Sequence, residues 1–197
     1  MASNKDLRAI YDSLIRANLS AQQQWKDELK FREEDAKKTN PRLTVETTQG
    51  KFVIELFEDD APNTTASMVA LANAKFFDGL TFHRFVNHFV IQGGCPKGDG
   101  TGDPGYRLRS EVNKRNHFRG MVGMACTGPK TNTEGSQFYV CLSDNESVKS
   151  LSGKYVIVGR VIEGLEAVEK LRAGDKMTSV KASNLRDHEY VPKKLTD

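Results

Sequence analysis

A glycine-rich stretch in the middle of the chain has the spacing of a phosphate-binding loop. Residues 100–105 read Gly-Thr-Gly-Asp-Pro-Gly, which matches the GxGxxG pattern of dinucleotide sites. Such a loop must open a helix whose N-terminal amides face the phosphates. Pro104 and Gly105 interrupt that helix, and the carboxylates of Asp99 and Asp103 would repel phosphate. We therefore predict a plain loop here.

The histidine and serine residues form no catalytic or metal-binding pattern. The histidines lack the close spacing of metal ligands; they are His83, His88, His117 and His188. His83 lies in an apolar, strand-like segment, which predicts a hydrogen-bonded structural histidine. The residue types of a Ser/His/Asp nucleophile are present, but no Gly-x-Ser-x-Gly turn accompanies them, so this alternative has no motif behind it. We expect neither a metal nor a cofactor.

Five short segments in a fixed order carry a family resemblance. They are Phe82-His83-Arg84 with Phe89 to Gly94, Gly100 to Gly102, Met124-Ala125 with Gly128-Pro129, Gly135 to Phe138, and Leu151 to Val156 with Val158-Gly159. Together they resemble the signature of the cyclophilin-type peptidyl-prolyl cis–trans isomerases, over about residues 42–188. The resemblance implies a mainly β fold: an eight-stranded antiparallel closed β-barrel capped by two helices.

The resemblance implies a catalytic role for Arg84. Rotation about an Xaa–Pro amide faces a barrier of about 18–20 kcal/mol. It needs no covalent step if a site binds the twisted amide more tightly than either planar isomer. In the twisted amide the proline nitrogen regains a lone pair, which a permanently protonated guanidinium can stabilise. By the family match Arg84 is that donor, and Gln92 holds its guanidinium by a hydrogen bond.

The resemblance also implies a groove for the peptide. Five apolar or aromatic residues correspond to the family's proline pocket: Phe89, Val90, Phe138, Leu151 and Tyr155. The backbone of Ala125 and Cys126 would pair with the substrate as an added strand, with Gln137 beside it. The competing interpretation is that the aromatic residues belong to the barrel core. The arginine and glutamine nearby favour the pocket.

Several positions depart from the family pattern. Ser150 stands where many members have tryptophan, which predicts weakened binding of cyclosporin. Tyr155 replaces a common histidine, Val90 a common methionine and Cys126 a common asparagine, while residues 133–134 form an insertion beside the groove. These changes bear on rate and peptide preference more than on the type of reaction.

The elements that must position these residues are short strands joined by glycine-containing turns. Sixteen glycines and a hydrophobic content of 38% favour a turn-rich domain over a helical bundle. Alternation predicts strands at 43–48 and 51–57, and short apolar segments separated by glycine predict strands at 82–85, 89–92, 121–125, 138–142 and 155–161. Residues 177–185 are expected to return to the sheet as a final strand, and helical spacing predicts helices at 62–76 and 163–171. This pattern alone leaves a closed antiparallel barrel and a sandwich open, and the resemblance selects the barrel.

The start of the chain has a different composition. Between Asp6 and Lys38 there is no glycine or proline, and charges of both signs are dense. One helical face collects the apolar residues Leu7, Tyr11, Leu14 and Ile15. Helix starts at Ser3 and Ser20 predict two helices, or one helix bent at 18–20. We therefore divide the chain into a charged helical extension (1–41), a cyclophilin-like domain (42–188) and a C-terminal tail (189–197).

We expect proline-containing peptides and proteins as binding partners. The helical extension has three open interpretations: it packs on the barrel, it forms a solvated tail, or it binds a partner or a second copy through residues 4–38. A net charge of +3 without a basic stripe argues against nucleic acid. The sequence contains no apolar run of about eighteen residues that would cross a membrane.

The cysteine count bears on location. The three cysteines, Cys95, Cys126 and Cys141, cannot all pair within one chain, and the first twenty residues lack the apolar segment of a signal peptide. We therefore expect reduced thiols and a cytoplasmic or nuclear location.

The predicted function is isomerisation of Xaa–Pro bonds in protein folding or switching. The alternative is a catalytically weak module that binds proline-containing peptides and recruits partners through its extension.

Overall fold

The computed structural model describes residues 4–195 and separates the chain into two compact units, 1–38 and 39–197. The first unit is one helix, α1, Asn4–Asp35. Side chains one turn apart bond along it, as in the 2.9 Å bond that Gln22 Nε2 donates to Asn18 Oδ1. The helix start predicted at Ser20 is wrong, because α1 runs uninterrupted through that residue. The start predicted at Ser3 lies outside the described residues.

Over residues 39–195 the second unit contains eight strands and three short helices. The strands are β1 (Arg42–Thr47), β2 (Gly50–Leu56), β3 (Phe82–Val86), β4 (Val90–Gly93), β5 (Met121–Met124), β6 (Phe138–Cys141), β7 (Ile157–Glu163) and β8 (Met177–Ser183). The helices are α2 (Pro62–Asn73), α3 (Glu146–Lys149) and α4 (Leu165–Lys170). The sequence reasoning missed α3, a four-residue helix capped by Asn145, whose Oδ1 accepts from the amide of Val148.

The strands pair antiparallel in the order β3-β4-β6-β5-β7-β2-β1-β8, which confirms the predicted strand number and mainly β class. The predicted closure needs correction, because no continuous ladder joins the edge strands β3 and β8 in the described residues. Contacts at the start of those strands hold the seam, among them a bridge between Thr81 and Lys176 and the bond from the Phe82 amide to the Asp175 carbonyl. The sheet is a curled barrel with a short, irregular seam.

The sheet has a sealed inner face and a smaller outer cluster. The inner core gathers strand residues with α2 and α4, which pack on β8 and β2 respectively. Phe52, Ile54 and Phe77 in this core are completely buried. A second cluster lies on the other face and includes Phe57, Val90, Phe118, Met121, Tyr139, Cys141, Val148 and Ile157. Because strand side chains alternate between faces, β4 and β6 contribute to both clusters.

The C-terminal segment bonds to the same unit as the barrel. The Lys193 amide donates to Asn63 Oδ1 at 2.6 Å, and Leu195 bridges to Arg107. The predicted division at residues 41–42 and 188–189 stays a prediction. In the part of the chain that the structure describes, no helix is both long and apolar enough to cross a bilayer.

Candidate active site

Four neighbouring strands align one row of residues across the sheet. Arg84 on β3 pairs with Gln92 on β4, Gln92 pairs with Tyr139 on β6, and Tyr139 pairs with Gly123 on β5. Residues directly opposite each other on paired antiparallel strands share a face of the sheet. The register therefore brings a guanidinium, a carboxamide and a phenol together on the outer face.

The Tyr139 ring lies close to Gly123 and contacts a buried histidine. A Cβ atom at residue 123 would lie 2.4 Å from the tyrosine ring, so only glycine leaves room there. His117 stacks on Tyr139 at 5.9 Å between ring centroids, and its Nε2 is 2.8 Å from the Tyr139 hydroxyl. Burial lowers the pKa of His117 to about 3 and raises the pKa of Tyr139, so both groups are neutral near pH 7.

An apolar pocket opens above this row. Its walls are Arg84, Phe89, Val90, Gln92, Ala125, Cys126, Tyr139, Leu151 and Tyr155. Beneath it lies the outer cluster, against which Phe89, Ala125 and Leu151 pack. The aromatic and aliphatic walls can hold a pyrrolidine ring, and the one cation among the lining residues is Arg84.

Arg84 is exposed and reaches the pocket with its guanidinium oriented by two neighbours. Its Nη1 donates to Gln92 Oε1 at 3.4 Å, a long hydrogen bond. Its Cζ lies 6.0 Å from the centre of the Phe89 ring, at the limit of a cation–π contact. A permanently charged donor thus stands at the rim of an apolar pocket, held from one side by an amide oxygen.

A second, polar pocket adjoins the first. Gln92, Ala125 and Cys126 line both pockets, and the polar one adds Gly100, Thr101, Gly102, Asp103, Arg107, Thr127, Thr133, Gly135, Ser136 and Gln137. The segment Ala125–Cys126 therefore separates the two pockets. The predicted loop at 100–105 is confirmed, since no helix follows it and its backbone forms one wall of the polar pocket.

The residues at 126 and in the insertion shape the polar pocket. Cys126 Sγ donates to the Gly128 carbonyl at 3.0 Å, and burial raises the pKa of this thiol, which keeps it protonated. Thr133 Oγ1 accepts from the Thr127 amide at 3.0 Å. Glu134 turns inward, is 1% exposed, and accepts a bond from the Ser110 hydroxyl at 2.7 Å. The inserted residues thus brace the wall of the groove.

Two predicted site residues lie away from the apolar pocket. Gln137 lines the polar pocket, as expected for a residue beside the groove. Phe138 points to the inner face, is 2% exposed, and packs edge-to-face on Phe77 and Phe82 at 5.9 and 6.3 Å between centroids. The core interpretation, which the sequence reasoning had set aside, describes the position of Phe138. The other eight predicted residues all line the apolar pocket.

The histidines do not form a metal site. Among residues 4–195 no three His, Cys, Asp or Glu side chains are grouped closely enough to hold an ion. His83 is partly buried, and its ring nitrogens have no hydrogen-bond partner among the described residues, so the predicted hydrogen bond is wrong. Burial lowers the pKa of His83, which keeps the ring neutral beside Arg84.

The match to a known family accounts for this geometry. Residues 42–188 match the family described as cyclophilin type peptidyl-prolyl cis-trans isomerase/CLD. The chain belongs to the cyclophilin family. The matched range contains all eight strands and both pockets of this cyclophilin.

Relatives and solved structures agree with the family match. A peptidyl-prolyl cis-trans isomerase of Synechococcus elongatus is 44% identical over 139 residues, 70% of this chain and 92% of that protein. One of Helicobacter pylori is 41% identical over 154 residues, 76% and 91% of the two chains. A Cryptosporidium parvum cyclophilin, crystallised in the presence of the dipeptide Ala-Pro, superposes with a TM-score of 0.64 at 28% identity, covering 71% of this chain and 97% of that one.

Sequence reasoning missed Tyr139 as a pocket residue of this cyclophilin. Val90 and Gln92 face the pocket from β4, and only every second residue of β6 can join them, but the apolar sequence of β6 does not show which set does. The predicted set placed Phe138 there, one residue too early. The structure puts Tyr139 opposite Gln92 and in the pocket wall.

Proposed function

We propose that the apolar pocket holds the proline ring of an Xaa–Pro peptide while Arg84 catalyses rotation about the preceding amide. The observation that carries the proposal is the Arg84–Gln92 pair at the rim of that pocket, with a 3.4 Å bond from Nη1 to Oε1. A ring gripped by Phe89, Leu151 and Tyr155 cannot turn with the rest of the peptide. The acyl side of the amide must then rotate against it.

The chemistry of Arg84 follows from the electron distribution of the twisted amide. When conjugation is lost, the proline nitrogen regains a lone pair and becomes an acceptor, which it is not in either planar isomer. A donor directed at this nitrogen stabilises the transition state more than the ground states, which is the requirement for raising kcat. The guanidinium suits this role because it stays protonated and needs no proton transfer. Gln92 holds its aim.

The groove on the other side of Ala125–Cys126 receives the peptide before the proline. We propose that the backbone of these two residues pairs with the extended substrate, in the manner of strand addition. This segment lines both pockets, so a peptide lying along it places neighbouring side chains on either side. Gln137 then lies next to the residue that precedes the Xaa–Pro bond.

The test compares cis–trans exchange of a short Xaa–Pro peptide, measured by NMR, in the native chain and in Arg84→Ala. We expect kcat/KM to fall by about 10²–10³-fold, the usual cost of removing one donor to a developing charge. The matched control is Arg42→Ala, which removes an exposed strand arginine on β1. This control should retain native activity. Both variants should keep the native melting temperature, since both side chains are exposed.

An inactive native chain that still binds the peptide would replace the proposal with the alternative of a proline-peptide-binding module. Equal activity in the native chain and Arg84→Ala would keep the reaction but remove Arg84 from its centre. The structural arrangement favours the enzyme, because a module that only binds peptides needs no charged donor oriented by an amide at the rim of its pocket.

We propose that cyclosporin binds this cyclophilin weakly. Ser150 is exposed next to the pocket residue Leu151, and its hydroxyl donates to the Ser147 carbonyl at 2.8 Å. The family resemblance places a tryptophan there in many members, and a serine offers the inhibitor far less apolar surface. Titration of the native chain should give inhibition weaker than nanomolar, and Ser150→Trp should tighten it. Nanomolar inhibition of the native chain would contradict the proposal.

We also propose that α1 is an interaction surface for a partner protein or a second copy. Ile10, Tyr11, Leu14 and Leu19 are 55–64% exposed on this helix. Sedimentation velocity of the full chain, compared with Leu14→Glu, tests the second copy: a native dimer that becomes monomeric supports it. Monomeric behaviour of both proteins removes self-association.

The three unpaired cysteines support a reducing compartment, and we propose the cytoplasm or nucleus.

A further inference from the structure

The side chain of Gln137 uses both of its N–H groups on a loop. Its Nε2 donates to the carbonyl oxygen of Gly100 at 2.8 Å and to that of Gly102 at 2.9 Å. A carboxamide nitrogen has two donor hydrogens, and an oxygen in that place would face two other acceptors. The loop therefore fixes which way round the Gln137 amide lies.

The fixed amide of Gln137 in turn fixes the amide of Gln92. With its nitrogen turned to the loop, Gln137 presents Oε1 to Gln92, whose Nε2 donates to it at 3.1 Å. Gln92 must then turn its own Oε1 the opposite way, and this oxygen accepts from Arg84 Nη1 at 3.4 Å. The loop thus fixes the orientation of both side-chain amides, and the second amide presents its oxygen to the guanidinium.

The loop that begins this series is itself tightly held. The sulfur of Cys95 accepts from the amides of Gly100 and Gly102 at 3.3 and 3.2 Å, the same two glycines whose carbonyls receive Gln137. Cys95 is completely buried. A Cβ atom at residue 102 would lie 2.9 Å from the Pro96 ring, so the backbone there is closely packed. The carbonyl oxygens of Gly100 and Gly102 are therefore held in position by the packing of the loop.

We propose that Gln137 is a positioning residue for Arg84, acting through Gln92. The inference rests on the proposed function of Arg84 and adds the device that sets its aim. Without Gln137, the Gln92 amide is free to turn over and present its N–H groups to the guanidinium. Two donors then face each other, and Arg84 leaves the orientation in which it meets the proline nitrogen. The rate of isomerisation then falls, because a catalytic donor acts only when it is correctly oriented toward the reacting atom.

The experiment is a double-mutant cycle on peptide isomerisation with Gln137→Met and Gln92→Met. Methionine keeps the length of the side chain and removes the amide. We expect Gln137→Met to lower kcat by about 5- to 20-fold, the range expected for one lost hydrogen bond at the site, with KM within about twofold of native. In the Gln92→Met background the same change should cost less than twofold, because the series is already broken. Gln137→Asn, one methylene too short to span both contacts, should behave like Gln137→Met and serves if methionine disturbs folding.

The matched control is Gln49→Met on the β1–β2 turn. Gln49 also donates its amide, to Asp175 Oδ1 at 3.0 Å, but it lies outside both pockets. It should leave kcat unchanged. A second readout is the side-chain ¹⁵N signal of Arg84, assigned by its loss in Arg84→Ala. Gln137→Met and Gln92→Met should shift this signal alike, and Gln49→Met should leave it in place.

Two results would overturn the inference. Multiplicative effects of the two substitutions would mean that Gln137 acts independently of Gln92. A change confined to KM, with the Arg84 signal unmoved, would make Gln137 a plain peptide contact. Failure of the proposed function looks different: the native chain is inactive or indifferent to Arg84→Ala, while the Arg84 signal still reports whether the amide series exists.

Discussion

The two faces of β4 and β6 differ in chemistry although their residues alternate along the same strands. The inner face carries Ile91, Phe138 and Val140, all buried and apolar within the barrel core. The outer face carries Gln92 and Tyr139, which hold polar atoms in hydrogen bonds, beside the buried Val90 and Cys141 of the outer cluster. Neighbours in sequence thus belong to different environments.

Substitutions on the two faces should have different consequences. An inner residue is surrounded by carbon, so its loss leaves a cavity and costs folding free energy. Gln92 on the outer face is bonded to both Arg84 and Gln137, so its loss changes the geometry at the pocket. If the faces are independent, an inner-face substitution changes the free energy of unfolding and leaves the rate unchanged. An inner-face substitution that also changes the rate shows that the two faces are coupled.

Phe138→Ala should have the largest effect on stability. The ring is 2% exposed and packs on Phe77 and Phe82, so its removal should destabilise the fold by about 3–5 kcal/mol. Chemical denaturation measures the loss. The kcat/KM of the fraction that remains folded should stay within about threefold of native, because the ring does not line the pocket.

Phe138→Leu is the milder companion if the alanine variant does not fold. If either variant had a native-like free energy of unfolding and strongly reduced activity, the assignment of Phe138 to the core alone would be contradicted. That result would return Phe138 to the pocket, where the sequence had suggested it.

The strand arrangement was accessible from the sequence because its signals are local. The glycine turn between β1 and β2 and the short apolar segments gave eight strands, and the eight-residue separation of Arg84 and Gln92 suits a hairpin that pairs them. The face of each residue on β6 was not accessible. Its sequence, Phe-Tyr-Val-Cys, has no polar alternation, and a shift of one residue exchanges the faces.

Other errors arose where local signals were overruled by context. Ser20 resembles a helix cap, yet α1 continues through it, since an uninterrupted run without glycine or proline offers no break. The bond between Gln22 and Asn18 also spans this point. The amide series from Gly102 to Arg84 had no sequence signal at all, because it depends on side-chain orientations across distant segments.

The buried histidine beneath the site should make stability depend on pH. Burial lowers the pKa of His117 from an ordinary value near 6.5 to about 3. Below pH 6.5 the unfolded chain takes up a proton at this residue and the folded chain does not. Its contribution is therefore fully present above pH 6.5 and is lost as the pH falls towards about 3, by up to about 1.4 kcal/mol per pH unit.

The measurement is the free energy of unfolding of the native chain and of His117→Gln, taken at intervals from pH 7 to pH 4. Carboxylates titrate in both proteins, so the difference between the two slopes isolates the histidine. Parallel slopes would show that His117 is protonated in the folded state as well, and would contradict its neutral contact with the Tyr139 hydroxyl.

Ile91→Val should have the smallest effect and tests whether the two faces are coupled. Ile91 is completely buried on the inner face, between Val90 and Gln92, which both line the apolar pocket. Removing one methylene should cost about 0.5–1.5 kcal/mol of stability. If β4 is rigid, kcat for the peptide stays native, because the backbone that carries Gln92 does not move. A severalfold fall in kcat, with the fold intact, would show that core packing sets the position of Gln92 and that the inner face takes part in aiming Arg84.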